Sequence, residues 1–206
     1  KATADAGEMA GLEVLDIVNE PTAAALAFGE HLGYLDPSGA PRQQMKVVVY
    51  DLGGGTFDVT VIDLTPGNIR TLATDGDVRL GGRDWDERLA DYLAEEFQAL
   101  HGVDLRKDPA GLARLLFLAE EAKHTLSARA QTLVHIEHSG YSQDLTITRD
   151  KFEELTAALL ERTSHTTRQV LAGANLQWRD ISHVLLVGGS TRMPMVRGML
   201  EKLTGL

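Results

Sequence analysis

Residues 51–58 read Asp-Leu-Gly-Gly-Gly-Thr-Phe-Asp, three glycines in a row between two strongly β-prone runs. Val47, Val48, Val49 and Tyr50 precede them; Phe57, Val59, Val61 and Ile62 follow. Two such runs joined by a short glycine turn predict a β-hairpin. Residues without Cβ let backbone N–H groups approach one point, and concavities of that kind hold anionic oxygens. Asp51 and Thr56 flank the turn, offering a carboxylate to a metal or water and a hydroxyl to a phosphoryl group. Taken alone, the glycines serve equally well as a tight turn that needs only positive φ. The neighbouring motifs decide between the two.

The 206 residues allow one domain or two small ones, with 43% apolar and 24% charged residues, an ordinary globular composition. A net charge of −10 argues against a nucleic-acid surface, which needs clustered Lys and Arg. The absence of cysteine excludes disulfides and thiol chemistry and fits a reducing compartment, so a cytoplasmic location is expected. No apolar run of 18 residues is present, so no membrane partner is expected. Both ends, Lys1 and Leu206, read as cut from something longer.

Along the chain, residues 1–11 read as the tail of a helix and 12–18 as a strand, since they alternate and carry β-branched side chains. Pro21 opens a helix to Leu32, and 36–41 reads as a solvated loop. Strands at 46–51, 57–64 and 68–77, the last two joined by a turn at 65–68, make an antiparallel meander. After the break at Leu80, Gly81 and Gly82, Asp84 is expected to cap a helix with Leu89, Leu93, Phe97 and Leu100 on one stripe. A helix from Pro109, a hairpin at 131–138 and 143–148, a helix capped by Asp150, a strand at 183–187 and a helix from Thr191 to Leu203 follow. The class is mixed α/β.

Three further groups carry chemistry. Glu20 sits where a strand passes into a helix, so its carboxylate projects from the carboxyl edge of a sheet, where open α/β sheets bind ligands; the bland role is a helix-terminus acid. Gly188 and Gly189 make a second glycine turn, after which Ser190 or Thr191 caps a helix with Pro194 in its first turn. Glu120, Lys123 and Ser127 lie at i, i+3 and i+7, one polar helix stripe able to bind ribose hydroxyls and ring nitrogens, although most such stripes are solvated faces. His135 and His138, three apart in a strand, point to opposite faces and make poor co-ligands.

Five strings occur in order over nearly the whole chain: Val-Asn-Glu-Pro-Thr-Ala-Ala-Ala at 18–25, the glycine hairpin at 51–58, Leu-Gly-Gly-Arg-Asp-Trp-Asp at 80–86, Glu-Glu-Ala-Lys-His-Thr-Leu-Ser at 120–127, and Val-Gly-Gly-Ser-Thr-Arg-Met-Pro at 187–194. Together they resemble the ATPase domain of the heat-shock protein 70 (DnaK-type) chaperones. That resemblance implies the actin-like, ribonuclease H-like ATPase fold, here as lobe II plus part of lobe I. Residues 1–35 would belong to lobe I, 36–183 to lobe II (core sheet 46–81 and 161–183, helical subdomain 82–160), and 184–206 would return to lobe I.

By the same resemblance the ligands are ATP or ADP with magnesium. Asp51 would hold the water shell of the magnesium or the attacking water, Glu20 would orient metal-bound water, and Gly53, Gly54, Gly55 and Thr56 would cradle the β- and γ-phosphates. Glu120, Lys123, His124 and Ser127 would grip the adenosine, with Gly188, Gly189, Ser190 and Arg192 on its other side. Partners of the parent would be unfolded client peptides, a J-domain co-chaperone and a nucleotide-exchange factor. Three residues depart from the family: His124 replaces the usual Arg that stacks on adenine, Arg83 an acid, and Trp85 a Phe. The family's first phosphate loop and catalytic lysine are expected upstream of Lys1 and its peptide-binding domain beyond Leu206, so the piece alone is expected to be inactive. The competing readings are a docking module for an exchange factor and a sugar kinase or actin-like relative.

Overall fold

The β-prone runs on either side of the glycines pair as expected. In the computed structural model, which describes residues 1–31, 33–34, 42–66 and 68–206, β1 (Met45–Leu52) and β2 (Phe57–Thr65) run antiparallel from Met45↔Leu64 to Leu52↔Phe57. β3 (Asn68–Asp77) continues the meander, with a register shift at Val61/Ile62. A fourth strand, His183–Val187, which follows two hairpins and five α-helices in the chain, lies parallel to β1. The sheet order is therefore β3-β2-β1 and then this last strand.

Four successive apolar residues in β1 require cover on both faces, because alternate side chains point to opposite sides. Helices α1 (Ala2–Met9) and α2 (Glu20–His31) come first in the chain, and α2 supplies one cover: Ala25 packs with Val47, Val49, Ile62, Leu64 and Leu185. On the other face, where the helix Arg149–Gly173 lies against β2 and β3, Val48, Tyr50, Leu52, Val59 and Val61 belong to one buried cluster with Trp85, Leu89, Leu93 and Phe97 of α3 (Gly82–His101). That cluster runs on without a break into α4 (Pro109–Ala128), into the hairpin of β4 (Gln131–His138) and β5 (Tyr141–Thr148), and into α5 (Arg149–Gly173). With the strand at His183–Val187 as β6, α6 (Pro194–Thr204) closes the described fold against α5.

Several local expectations need correction. Residues 12–18 form no strand: Leu15 is 87% exposed, and no strand among the described residues lies beside them, so their alternation finds no ladder. Leu100 is exposed rather than part of the apolar stripe of α3. Gly81, not Asp84, caps α3; Asp84 lies three residues on and accepts the Gly81 N–H at 2.8 Å. Thr148 rather than Asp150 caps α5, accepting the Lys151 N–H at 3.1 Å. Neither Ser190 nor Thr191 caps α6, which starts at Pro194 behind Met193 after a short 3-10 turn, Gly189–Arg192. β6 hydrogen-bonds to β1, and α6 packs on α5. The loop at 36–41, the helix end at Leu32 and Gly67 of the turn at 65–68 lie outside the described residues.

Candidate functional site

The glycine hairpin is built for space rather than for left-handed backbone. None of Gly53, Gly54 and Gly55 has positive φ. A Cβ placed on Gly54 or Gly55 would meet nothing within 4 Å, so both face open space. The Gly53 N–H donates to the Thr56 carbonyl at 3.0 Å and closes the turn. The carbonyls point the other way, into the protein. The Gly53 carbonyl accepts the Gly82 N–H at 2.9 Å and the Ser190 hydroxyl at 2.9 Å, and the Gly54 carbonyl accepts the Arg83 N–H at 2.9 Å. No acceptor among the described residues engages the Gly54 or Gly55 N–H. An open loop with unspent donors suits an anion.

Two other glycine pairs hold the hairpin. A Cβ on Gly81 would lie 2.4 Å from the Gly55 nitrogen and 2.6 Å from the Gly54 carbonyl carbon. Gly188 has a φ of +85°, and a Cβ there would lie 2.3 Å from the Leu52 oxygen and 2.8 Å from the Asp51 carboxylate. Both positions require glycine for close approach, and Gly188 for its backbone as well.

To one side lies an acidic cavity of about 350 Å³, where Glu20 at the start of α2, Asp51 near the end of β1 and Asp58 of β2 meet Thr60, Thr71 and Thr74. Asp51 and Asp58 are direct cross-strand neighbours. Burial, then the charges of Glu20 and Asp58, push the Asp51 carboxyl above the usual carboxylate range. No Lys or Arg lines the cavity among the described residues, so the negative charge is uncompensated and fits a hard cation. No three His, Asp or Glu side chains among the described residues stand close enough to ligate a metal together.

To the other side a cavity of about 400 Å³ gathers Glu120, Lys123, His124 and Ser127 from α4 with Gly189, Ser190 and Arg192 from the turn after β6. Gly54 lines it too, so cavity and hairpin adjoin. Seven of the eight expected adenosine contacts thus come together; Gly188 lines a neighbouring groove with Leu186, Thr191 and Arg197. Thr56 is exposed at the hairpin.

The polar stripe on α4 is solvated only in part: Glu120 is exposed and Ser127 half-buried, but Lys123 is buried. Lys123 is only 6% exposed, and its ammonium donates to Asp86 Oδ2 at 2.8 Å and to the Gly82 carbonyl at 3.1 Å. Ser127 turns its hydroxyl back to the Lys123 carbonyl at 3.0 Å. Asp86, buried in α3, joins the site residues from the structure; its only signal in the sequence is its place in the string at 80–86. His124 and Arg192 remain exposed at the mouth. The histidines of the β4–β5 hairpin stay apart: His135 pairs with Asp144 at 2.6 Å, and His138 lies 3.9 Å from Asp108.

The mixed sheet thus ends on an open glycine hairpin that adjoins a polar cavity, with an acidic cavity beside it. A family model described as Hsp70 protein matches residues 1–206, the whole chain. The chain belongs to the heat-shock protein 70 family, whose actin-like ATPase domain binds ATP or ADP with magnesium.

Proposed function

We propose that this chain forms one wall of the ATP site of an Hsp70-type chaperone, with the adenosine in the cavity between α4 and the turn after β6 and the phosphates over the glycine hairpin. The observation that carries this reading is the position of Gly54, which lines the adenosine cavity and presents an unspent N–H on the hairpin. His124 and Arg192 face the base from two elements, and Glu120 the ribose. Gly53, Gly54, Gly55 and Thr56 receive the β- and γ-phosphates.

Bound magnesium supplies charge neutralisation for the phosphates. Asp51 and Glu20 would hold it through water, and the uncompensated charge of their cavity supports that role. Asp51, deprotonated, accepts a hydrogen bond from the attacking water and orients it. The rest of the catalysis is positioning, as in other phosphoryl transfers.

Residues 36–206 make up lobe II on this reading, since β6 and α6 belong to its sheet layer, and 1–35 belong largely to lobe I. Turnover needs donors around the phosphates in a water-poor pocket, and the openness of Gly54 and Gly55 supports an inactive state for the 206 residues alone. In the chaperone, hydrolysis drives client peptide binding and release, assisted by a J-domain co-chaperone and an exchange factor. The test is calorimetric titration of adenosine and ADP into wild type, Arg192→Ala and Gly54→Val. Both variants should weaken ADP at least about tenfold, about 1.4 kcal/mol; adenosine should weaken for Arg192→Ala. Affinities equal to wild type in both would remove this cavity and hairpin from the reading.

A further inference from the structure

Asp86 has no role in the reading above, yet it sits where the two halves of the site join. Its Oδ2 holds the Lys123 ammonium at 2.8 Å, and its Oδ1 is buried with no partner among the described residues. The same ammonium reaches the Gly82 carbonyl at 3.1 Å, and the Gly82 N–H donates to the Gly53 carbonyl at 2.9 Å. Gly82 leaves no slack in this stack: a Cβ there would lie 2.3 Å from Ser190 Oγ and 3.3 Å from Lys123 Nζ. Ser190 in turn donates to Gly53. Lys123 and Ser190 line the adenosine cavity, and Gly53 begins the phosphate turn.

A buried ion pair with one oxygen unsatisfied is a poor way to stabilise a fold, since an apolar pair of similar volume does as well or better. Lys123 would also serve a ligand better if it were free. Its tether to Asp86 makes sense as a mechanical part.

We infer that Asp86 is a positioning residue for nucleotide binding: by holding Lys123 on the Gly82 carbonyl it makes the adenosine cavity and the phosphate hairpin move as one body. The inference rests on the nucleotide reading above. It requires that adenosine, with no phosphate attached, tighten the backbone under the hairpin, because coupling between two sites is reciprocal.

Two measurements test it. In wild type, saturating adenosine should slow amide hydrogen exchange at Gly82 and Arg83, whose N–H groups donate to the hairpin carbonyls, by about fivefold or more. In Asp86→Ala, the preference for Mg-ADP over adenosine should fall about tenfold, mostly through weaker ADP, and adenosine should no longer protect those amides. A variant in which both ligands weaken by one common factor would mark a loosened fold and overturn the inference. If Asp86→Ala does not fold, the wild-type experiment decides: adenosine that protects the α4 amides but leaves Gly82 and Arg83 unchanged also overturns it. Wild type that binds neither adenosine nor Mg-ADP by calorimetry overturns the nucleotide reading itself, and the inference falls with it.

Discussion

The Ser190 hydroxyl donates to the Gly53 carbonyl at 2.9 Å, across 137 positions of sequence. That bond ties the turn after β6 to the turn after β1, and because these strands run parallel, both turns lie at the same end of the sheet. Ligands of open α/β sheets collect at that carboxyl edge. The Leu80-Gly81-Gly82 break packs under the same point from the third side. Three glycine turns therefore meet at one place for different reasons, and substitution should separate those reasons.

Gly81→Ala should destabilise the fold by about 2–4 kcal/mol, because its Cβ would strike backbone atoms of Gly54 and Gly55 that have no flexible end to yield. Gly54→Ala should stay within about 0.5 kcal/mol of wild type, since its Cβ enters open space. That methyl would nevertheless stand where phosphate is expected, and Mg-ADP affinity should fall about tenfold. Urea denaturation and calorimetry together check the pair. A Gly54→Ala chain that is destabilised as much as Gly81→Ala would make the hairpin structural.

Asp51→Asn should stabilise the chain at neutral pH while impairing the chaperone. Burial and the charges of Glu20 and Asp58 raise the native Asp51 carboxyl, so its favourable contribution is present below the unfolded value near about 3.9 and is lost as pH rises through the native value. The variant should thus melt higher than wild type at pH 7, and the difference should shrink to nothing as pH drops below about 4. In the full-length protein its kcat should fall by one to two orders of magnitude, about 1.4–2.7 kcal/mol, with a smaller change in nucleotide affinity. Thermal melts at several pH values and steady-state turnover are the measurements. Unchanged turnover would remove Asp51 from the chemistry.

How far the sequence carried depended on the distance over which each feature is decided. The hairpin at 51–58 was legible because β-branched runs and glycines act locally, and the seven cavity residues because their strings are specific. The burial of Lys123 was not, since it depends on Asp86, 37 residues away on another helix. The alternation at 12–18 indicated a strand, but strand formation needs a neighbour that those residues do not have here. The end of α6 was legible from periodicity; its start was not, because Ser190 and Thr191 spend their hydroxyls on the Gly53 and Gly188 carbonyls instead of on a cap. The pairing of β6 with β1 was not legible either, as a strand of five residues is too short to reveal its partner.

Leu12, Leu15, Ile17 and Val18 are each at least half exposed within seven residues. A patch of this kind favours self-association. The 206-residue chain should therefore self-associate at tens of micromolar, and Leu15→Glu with Ile17→Glu should shift it to monomer without lowering its melting temperature, because neither side chain contributes to the core. Sedimentation equilibrium checks the first point and a thermal melt the second. Association that survives both changes would place the contact elsewhere.

Ligand-induced stabilisation should rank the parts of the nucleotide in a characteristic order. Glu20, Asp51 and Asp58 leave negative charge uncompensated beside the hairpin, so a bare diphosphate is repelled there and magnesium reverses the sign. Adenosine avoids both effects and reports the cavity of α4 alone. Millimolar Mg-ADP should therefore stabilise the 206-residue chain most, adenosine less, and ADP in the presence of a chelator least. The scale follows from linkage: a ligand at 100 times its Kd adds about 2.7 kcal/mol, and in a domain of this size about 2–4 °C accompanies each kcal/mol. Metal-free ADP that stabilises more than adenosine would show that the carboxylate cavity does not face the phosphates, and the placement of magnesium beside Asp51 and Glu20 would have to be given up.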